Sequence, residues 1–441
     1  MTDDHGPWAL GSAGCAEMHT PNIDRLAAGG FSFNRAFACT PVCSPSRATL
    51  YTGKLPSHHG VQDFLMGPDS HGPKSRYFLH GHTTFADVLK ANGYSCGLVG
   101  KWHLGNDTHA QAGFDDWCAA PRGSGPYRDV EFFDNGRSVK NTGYKTDFIG
   151  KRAAQFVEDH QKEPFCLTVP FFAPHDPFDY QPEEYRRPYR DAAFSCYPEP
   201  PKNPQRRGRF EHYHGSREAK MSYSALVTGV DTNVGRVLDK LDELGLRDNT
   251  LVIFTADQGY NCGHHGVWGK GNATIPFNMW EESIGVPLIW NHPGRIAAGG
   301  SSEAMVSTYD FFPSLLDYLG LETPPDPERV GRSYAGFLRG RSPEWRRELY
   351  FEMCYVRAIR TENLKYIERA EGWPNELFDL EVDPGEVINR IGAPDYRQQA
   401  RELRSRLHGF FDGAGAPPLA DWRTTTEQIL PTDIGYYTWE Q

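Results

Sequence analysis

Apolar residues along this chain recur with two periods, and their alternation predicts strands interleaved with helices. Ile23, Leu26 and Ala27 share one helical face after Thr20-Pro21-Asn22, and Gly29-Gly30 stops that helix. Residues 31–37 then alternate as a strand does. Pro45 stands where a second helix can begin, running to Gly53, which puts Cys43 just ahead of a helix N-terminus. Thr83 or Thr84 caps a helix that ends at Asn92-Gly93, and an apolar strand at 94–99 follows and stops at Gly100. Residues 145–162 read as a helix, and 165–172 as a buried strand leading into Ala173-Pro174-His175. Over 217–246, Val227, Val230, Val234, Val237, Leu241 and Leu244 form a helical stripe suited to core packing. Further strands are predicted at 251–254 and 286–290, and a helix at 308–319.

From about residue 345 the texture changes. Short strands at 348–353, 355–361 and 364–368 predict a small antiparallel sheet, followed by a helix near 395–412 and an irregular tail. The fold class is therefore α/β: a large, mainly parallel sheet flanked by helices, with a smaller C-terminal antiparallel-sheet subdomain. The expected division is 1–340 and 341–441. Ligands gather at the carboxyl ends of strands in such sheets. Lys101, His103, His175, Asp257 and Gln258 fall at predicted strand ends, as do Asp3 and Asp4 if a strand precedes them. Only Met1 and Thr2 stand before that pair, so either a first strand is missing upstream, as is expected, or the pair is loosely held.

Composition adds bounds. The 441 residues are 39% hydrophobic and 23% charged, as in ordinary globular proteins. No apolar run reaches about 18 residues, so no membrane-spanning helix is expected. A net charge of −11 disfavours a nucleic-acid partner and requires a local cationic cluster for any anionic substrate. The nine cysteines are scattered without a C-x-x-C pair, so neither a zinc ribbon nor a disulfide framework is visible. A reduced, cytoplasmic location is the simplest reading, with a periplasmic or secreted one open if the N-terminus is truncated.

The candidate chemistry lies in five clusters. Cys43-Ser44-Pro45-Ser46-Arg47 leads to Thr52-Gly53. Asp3-Asp4 and Asp257-Gln258 offer hard oxygen ligands, suited to Ca²⁺ or Mg²⁺ rather than zinc. The others are Gly100-Lys101-Trp102-His103-Leu104-Gly105, Pro174-His175-Asp176-Pro177, and the 263–272 segment holding His264, His265 and Lys270. Each has a plainer reading alone: a buried free cysteine, strand-end turns, a surface lysine, structural histidines. Their joint presence favours a site.

The first cluster resembles the signature of formylglycine-dependent type I sulfatases, C-x-P-S-R-x-x-x-x-T-G, in the alkaline-phosphatase-like superfamily. The G-K-W-H-L-G loop and the Asp pairs match that family too. The resemblance implies that a formylglycine-generating enzyme oxidises Cys43 to an aldehyde whose hydrate carries two hydroxyls, one attacking sulfur and the other later expelling sulfate. It implies a calcium ion, with magnesium as the alternative, on Asp3, Asp4, Asp257, Gln258 and the modified Cys43. Lys101 would bind the diol and sulfate oxygens, Arg47 would pair with the diol and the metal-ligand carboxylates, and His103 would take the proton that releases sulfate. His175 and Lys270 would meet the ester oxygen and protonate the leaving alcohol.

The implied function is hydrolysis of sulfuric esters, leaning to a sulfated carbohydrate. Trp102, Trp268 and Trp280 could stack on a sugar, or simply be core. Arg206, Arg207 and Arg209 could touch an anionic glycan, or simply be solvated. Two rivals stay open: a phosphoester or phosphonate monoester hydrolase of the same superfamily, and a non-catalytic binder of sulfated ligands if Cys43 stays a thiol.

Overall fold

The computed structural model describes residues 1–179 and 181–419. Five parallel segments lie side by side at its centre. Strand Ser95–Lys101 pairs in parallel with Asp116–Ala120 on one side and with Phe165–Thr168 on the other. The first residues of the chain continue this order. The Met1 ammonium donates to the Val169 carbonyl, and Phe171 N–H donates back to Met1. On the other edge Thr2 N–H donates to Thr255, and Asp257 N–H donates to Thr2, a parallel bridge to the strand Val252–Thr255. The Met1–Thr2 segment thus joins what would be two separate sheets. Antiparallel strands complete both flanks: Arg128–Asp134 and Arg137–Tyr144 on one, Leu288–Asn291 and Phe31–Phe33 on the other.

Side chains alternate across the sheet because successive residues of a strand face opposite ways. Val99, Cys118, Ala120 and Ile289 pack with the helices Pro21–Ala28, Lys145–Asp159 and Arg217–Glu243. Leu98, Trp117, Ala119 and Trp290 face the other way, toward the helices Cys43–Thr52, Phe85–Ala91 and Phe311–Leu319. Val227, Val230 and Leu241 of the long helical stripe are fully buried, while Val234, Val237 and Leu244 pack at its margin.

The C-terminal part holds an antiparallel sheet of Glu348–Met353, Val356–Thr361, Leu364–Arg369 and Glu376–Asp379, covered by the helix Arg397–Gly413. Its core joins Leu349, Phe351, Ile359 and Ile367 to Leu403, Leu407 and Phe411, and also to Phe277, Met279 and Trp280.

Several elements differ from the expectation. The 31–37 strand is two short strands, Phe31–Phe33 and Ala36–Phe37, because a turn at Asn34-Arg35 sends them to different partners. The helix after position 42 starts at Cys43 itself, so that cysteine is its first residue. Pro45 fits the third helical position because the first-turn N–H groups have no intrahelical acceptor. The strand expected to stop at Gly100 runs to Lys101. Gly100 has φ +138°, and a Cβ there would lie 2.1 Å from the Pro170 carbonyl oxygen, so only glycine permits this close approach. The segment 165–168 is half-buried rather than buried.

Cys15 and Cys196 form a disulfide across a sequence separation of 181, contrary to the expectation of wholly reduced cysteines. Such bonds persist in oxidising compartments. No helix among the described residues is long and apolar enough to cross a membrane.

Helix Pro21–Ala28 is capped from outside. Thr20 makes no side-chain cap bond; instead buried Asp231 Oδ1 accepts Asn22 N–H at 3.0 Å and Ile23 N–H at 2.8 Å. Its Oδ2 accepts Asn22 Nδ2 at 2.9 Å. Asp231→Ala strands these donors and is expected to lower stability by about 2–3 kcal/mol in urea denaturation; a loss under about 0.5 kcal/mol would count against the cap.

Candidate active site

The parallel strands deliver their polar residues to one edge of the sheet. Asp3 and Asp4 follow the Met1–Thr2 segment, Lys101 ends its strand, and Asp257 and Gln258 follow Val252–Thr255. His175 follows the 169–171 segment that pairs with Met1. Helix Cys43–Thr52 brings Cys43 and Arg47 above them, and the 263–270 loop brings Lys270.

These side chains meet around Cys43. Its Sγ lies 2.8 Å from Lys270 Nζ, 3.3 Å from Asp3 Oδ1 and 3.7 Å from Gln258 Nε2. Lys101 Nζ bonds Asp3 Oδ2, and Lys270 Nζ lies 2.5 Å from Asp4 Oδ1. Arg47 clasps Asp257 Oδ2 through Nε at 2.9 Å and Nη2 at 2.8 Å, and its Nη1 donates to the Lys101 carbonyl at 2.8 Å. Asp257 Oδ1 accepts Gln258 N–H at 2.9 Å, and Ser46 Oγ donates to the Asp257 carbonyl. His175 Nε2 stands 3.6 Å from Asp4 Oδ2, and its Nδ1 faces the Asp176 carboxyl at 3.2 Å.

The backbone here is tightly held. Asp4 adopts φ +64°, a conformation uncommon outside glycine. Tyr223 supports it, donating to the Asp4 carbonyl at 3.0 Å and accepting Gly6 N–H at 3.0 Å. Tyr127 donates to the His175 carbonyl at 2.7 Å.

Burial and charge set the protonation of the cluster. Burial alone would raise Asp3, but Lys101, His175, Lys270 and Arg47 hold it well below the usual carboxylate range. Burial and the Asp3 charge push Asp257 up to about 7 despite Arg47. Burial, with Asp3 beside it, pushes the Cys43 thiol up to about 12. Burial works against the Lys270 ammonium, yet Asp4, Cys43 and Asp3 hold its pKa well above the ordinary lysine value. As a thiol, Cys43 is therefore protonated at neutral pH and a poor nucleophile.

His103 sits slightly apart. It has φ +57°, and its Nε2 lies 2.9 Å from the Leu65 carbonyl oxygen. Its Nδ1 is buried without a hydrogen-bond partner, and burial followed by the Lys101 charge keeps the ring's pKa well below the ordinary value.

The donor set suits a hard cation. Asp4 Oδ2 and Gln258 Oε1 are buried and lack a hydrogen-bond donor, and these are the oxygen types such an ion takes.

Other candidates sit elsewhere. Trp102 stacks among Tyr51, Phe114 and Trp117; Trp268 packs with Phe178 and Tyr213; Trp280 lies under His265. All three are at most 5% exposed and serve the core. His265 bonds Glu282 at 2.7 Å, and His264 packs on Trp8. Arg206 is engaged by Glu211 at 2.7 Å, and Arg207 donates to the Asn272 carbonyl at 3.5 Å. The Arg209 side chain lies outside the described residues.

Lys145 went unnoticed in the sequence. It is the first residue of helix Lys145–Asp159, where the helix dipole disfavours a cation, and that mismatch was the available signal. Its Nζ donates to Gly125 at 3.2 Å and lies 4.0 Å over the Phe172 ring. Burial and the Lys101 charge push it down to about 7.

The chain is similar to known proteins over most of its length. A family model described as Sulfatase matches residues 1–321, and one described as N-sulphoglucosamine sulphohydrolase, C-terminal, matches residues 263–411. An N-acetylglucosamine-6-O-sulfatase of Bacteroides thetaiotaomicron is 28% identical, covering 92% of this chain and 84% of that protein. An ulvan-active sulfatase of Formosa agariphila is 32% identical, covering 92% and 79%. A solved structure in complex with its substrate D-glucosamine-2-N,6-O-disulfate superposes with a TM-score of 0.79 at 25% identity, covering 95% of this chain and 97% of that one.

Proposed function

Because the chain belongs to the sulfatase family, we propose that its site cleaves R–O–SO₃⁻ esters of sulfated carbohydrates, using a formylglycine made from Cys43 and a divalent cation. The observation that carries this reading is the ring of Arg47, Lys101 and Lys270 with Asp3, Asp4, Asp257 and Gln258 around Cys43 Sγ. The buried thiol is unsuited to act as it stands, so its central position calls for modification. A hydrated aldehyde supplies an oxygen nucleophile that can be regenerated. Calcium, with magnesium as the alternative, supplies positive charge at the sulfate oxygens and fits Asp3, Asp4, Asp257 and Gln258, with residue 43 completing the set.

The remaining roles belong to this chain's own groups. Arg47 orients Asp257, and Lys101 and Lys270 stabilise charge on the sulfate. His175, whose Nε2 points toward Asp4, and Lys270, beside Cys43, are the proton donors for the departing alcohol. His103, with a free buried Nδ1, serves as the base that releases sulfate. The catalytic part spans 1–340, and the sheet from Glu348 onward with helix Arg397–Gly413 forms the C-terminal subdomain. The carbohydrate assignment draws on the relatives active on N-acetylglucosamine sulfate and ulvan.

The test compares 4-nitrophenyl sulfate with 4-nitrophenyl phosphate, using protein made together with a formylglycine-generating enzyme. A preference for the sulfate of at least ~100-fold in kcat/KM is expected. Equal or faster phosphate cleavage would make the protein a phosphoester or phosphonate hydrolase. No turnover of either by protein whose Cys43 peptide carries the aldehyde mass would leave a binder.

A further inference from the structure

The segment 62–65 forms a wall beside the nucleophile. Leu65 N–H donates to Ser44 Oγ at 3.0 Å, one residue beyond Cys43, and the Leu65 carbonyl faces His103 Nε2. Cys354 Sγ, from the turn between two C-terminal strands, reaches the Gln62 carbonyl at 3.5 Å. Residues 62 and 63 thus lie where the Cys43 helix, the His103 loop and the C-terminal sheet meet.

Two side-chain acceptors in this wall are buried: Gln62 Oε1 has no hydrogen-bond partner, and Asp63 Oδ2 has none beyond what the neighbouring Cys354 thiol offers. Asp63 is 1% exposed, and its other oxygen accepts Phe64 N–H at 2.8 Å. The Cys354 thiol beside it is only a weak donor. Burial pushes the carboxyl up to about 7, opposed in part by the charges of Arg207 and Lys270. Buried acceptors are paired almost everywhere in native proteins. Two neighbouring ones beside a cationic site point to a donor carried in by the bound molecule. An acid at the sulfate position itself would repel the anion, so this carboxyl suits a different part of the substrate.

We infer that Asp63, assisted by Gln62, binds the alcohol portion of the ester by hydrogen-bonding a hydroxyl or amino group close to the scissile oxygen. The inference rests on the sulfatase reading above. Lys270 connects the two parts: it touches Cys43 Sγ, and its charge also reaches Asp63. Sugars carry such donors near a sulfate, and simple aryl sulfates do not. Asp63 is thus a specificity-determining residue.

The test measures kcat/KM of the matured, calcium-loaded enzyme on phenyl sulfate, 2-hydroxyphenyl sulfate and N-acetylglucosamine 6-sulfate. Wild-type enzyme is expected to prefer the hydroxylated aryl ester by at least ~10-fold, and Asp63→Ala to erase that preference. Asp63→Asn keeps the shape and one acceptor and should retain part of it; it also carries the test if the alanine variant does not fold. Absence of a wild-type preference, or equal losses on both aryl esters in either variant, overturns the inference. Cleavage of the aryl pair with the expected preference but not of the sugar overturns the carbohydrate assignment and supports Asp63. Inactivity on all three sulfates overturns both.

Discussion

Cys43→Ala is expected to reduce sulfate ester hydrolysis at least ~10,000-fold while leaving the fold intact. The side chain is 2% exposed at the first position of a helix, and alanine is helix-compatible and smaller, so stability should change little. Cys43→Ser probes the modification more finely. Serine keeps an oxygen at the centre of the cationic ring but offers one hydroxyl where the aldehyde hydrate offers two. It could become sulfated, yet it could not shed the sulfate by collapse to a carbonyl. A single turnover followed by arrest is therefore the expected kinetic result, read as stoichiometric alcohol release. Peptide mass closes the argument: the active protein should carry the aldehyde at position 43, and the thiol form should be inactive. Full activity from protein with an unmodified Cys43 would remove the reading, because burial keeps that thiol protonated.

Much of this site was readable because its residues occur in short, chemically distinctive runs at strand ends. Lys101, Asp257 and Gln258 follow apolar strands directly, and parallel sheets bring such ends to one edge. The supporting parts were not readable, since they depend on contacts between distant segments. The turn at Asn34-Arg35 carries no glycine or proline; it follows from the different partners that Phe31–Phe33 and Ala36–Phe37 find. The partner of Cys15 lies 181 residues away, and spacing alone cannot select it. The Trp102, Trp268 and Trp280 positions beside the motifs left a sugar platform and plain core packing equally open, and tertiary packing buries all three. Asp63 and Lys145 escaped notice because each looks like an ordinary charged residue until burial is known. Asp3 and Asp4 follow a segment, Met1 and Thr2, that is hydrogen-bonded on both edges, and its long-range partners are not visible in the sequence.

Chelation should produce the other large effect, a loss of roughly 1,000-fold or more in turnover that calcium restores. Without a cation, the carboxylates of Asp3, Asp4 and Asp257 are matched by Lys101, Lys270 and Arg47, so the cluster is close to neutral. A neutral cluster in a protein of net charge −11 has little attraction for an anionic ester. A divalent ion would turn the same residues into a positive well and draw Asp4 and Asp3 away from the lysines, freeing both ammonium groups for sulfate oxygens. Binding should also stabilise the fold, by about 2.7 kcal/mol when free calcium is a hundredfold above its Kd. Asp257→Asn is the discriminating variant. The amide keeps the shape and an acceptor for Arg47, yet it removes one ligand charge, so the calcium-dependent rise in Tm should shrink together with activity. The Tm rise should persist in Cys43→Ala, since Asp3, Asp4, Asp257 and Gln258 remain. An enzyme that keeps its turnover in chelator, or a calcium-dependent Tm rise of equal size in Asp257→Asn, would place the ion elsewhere.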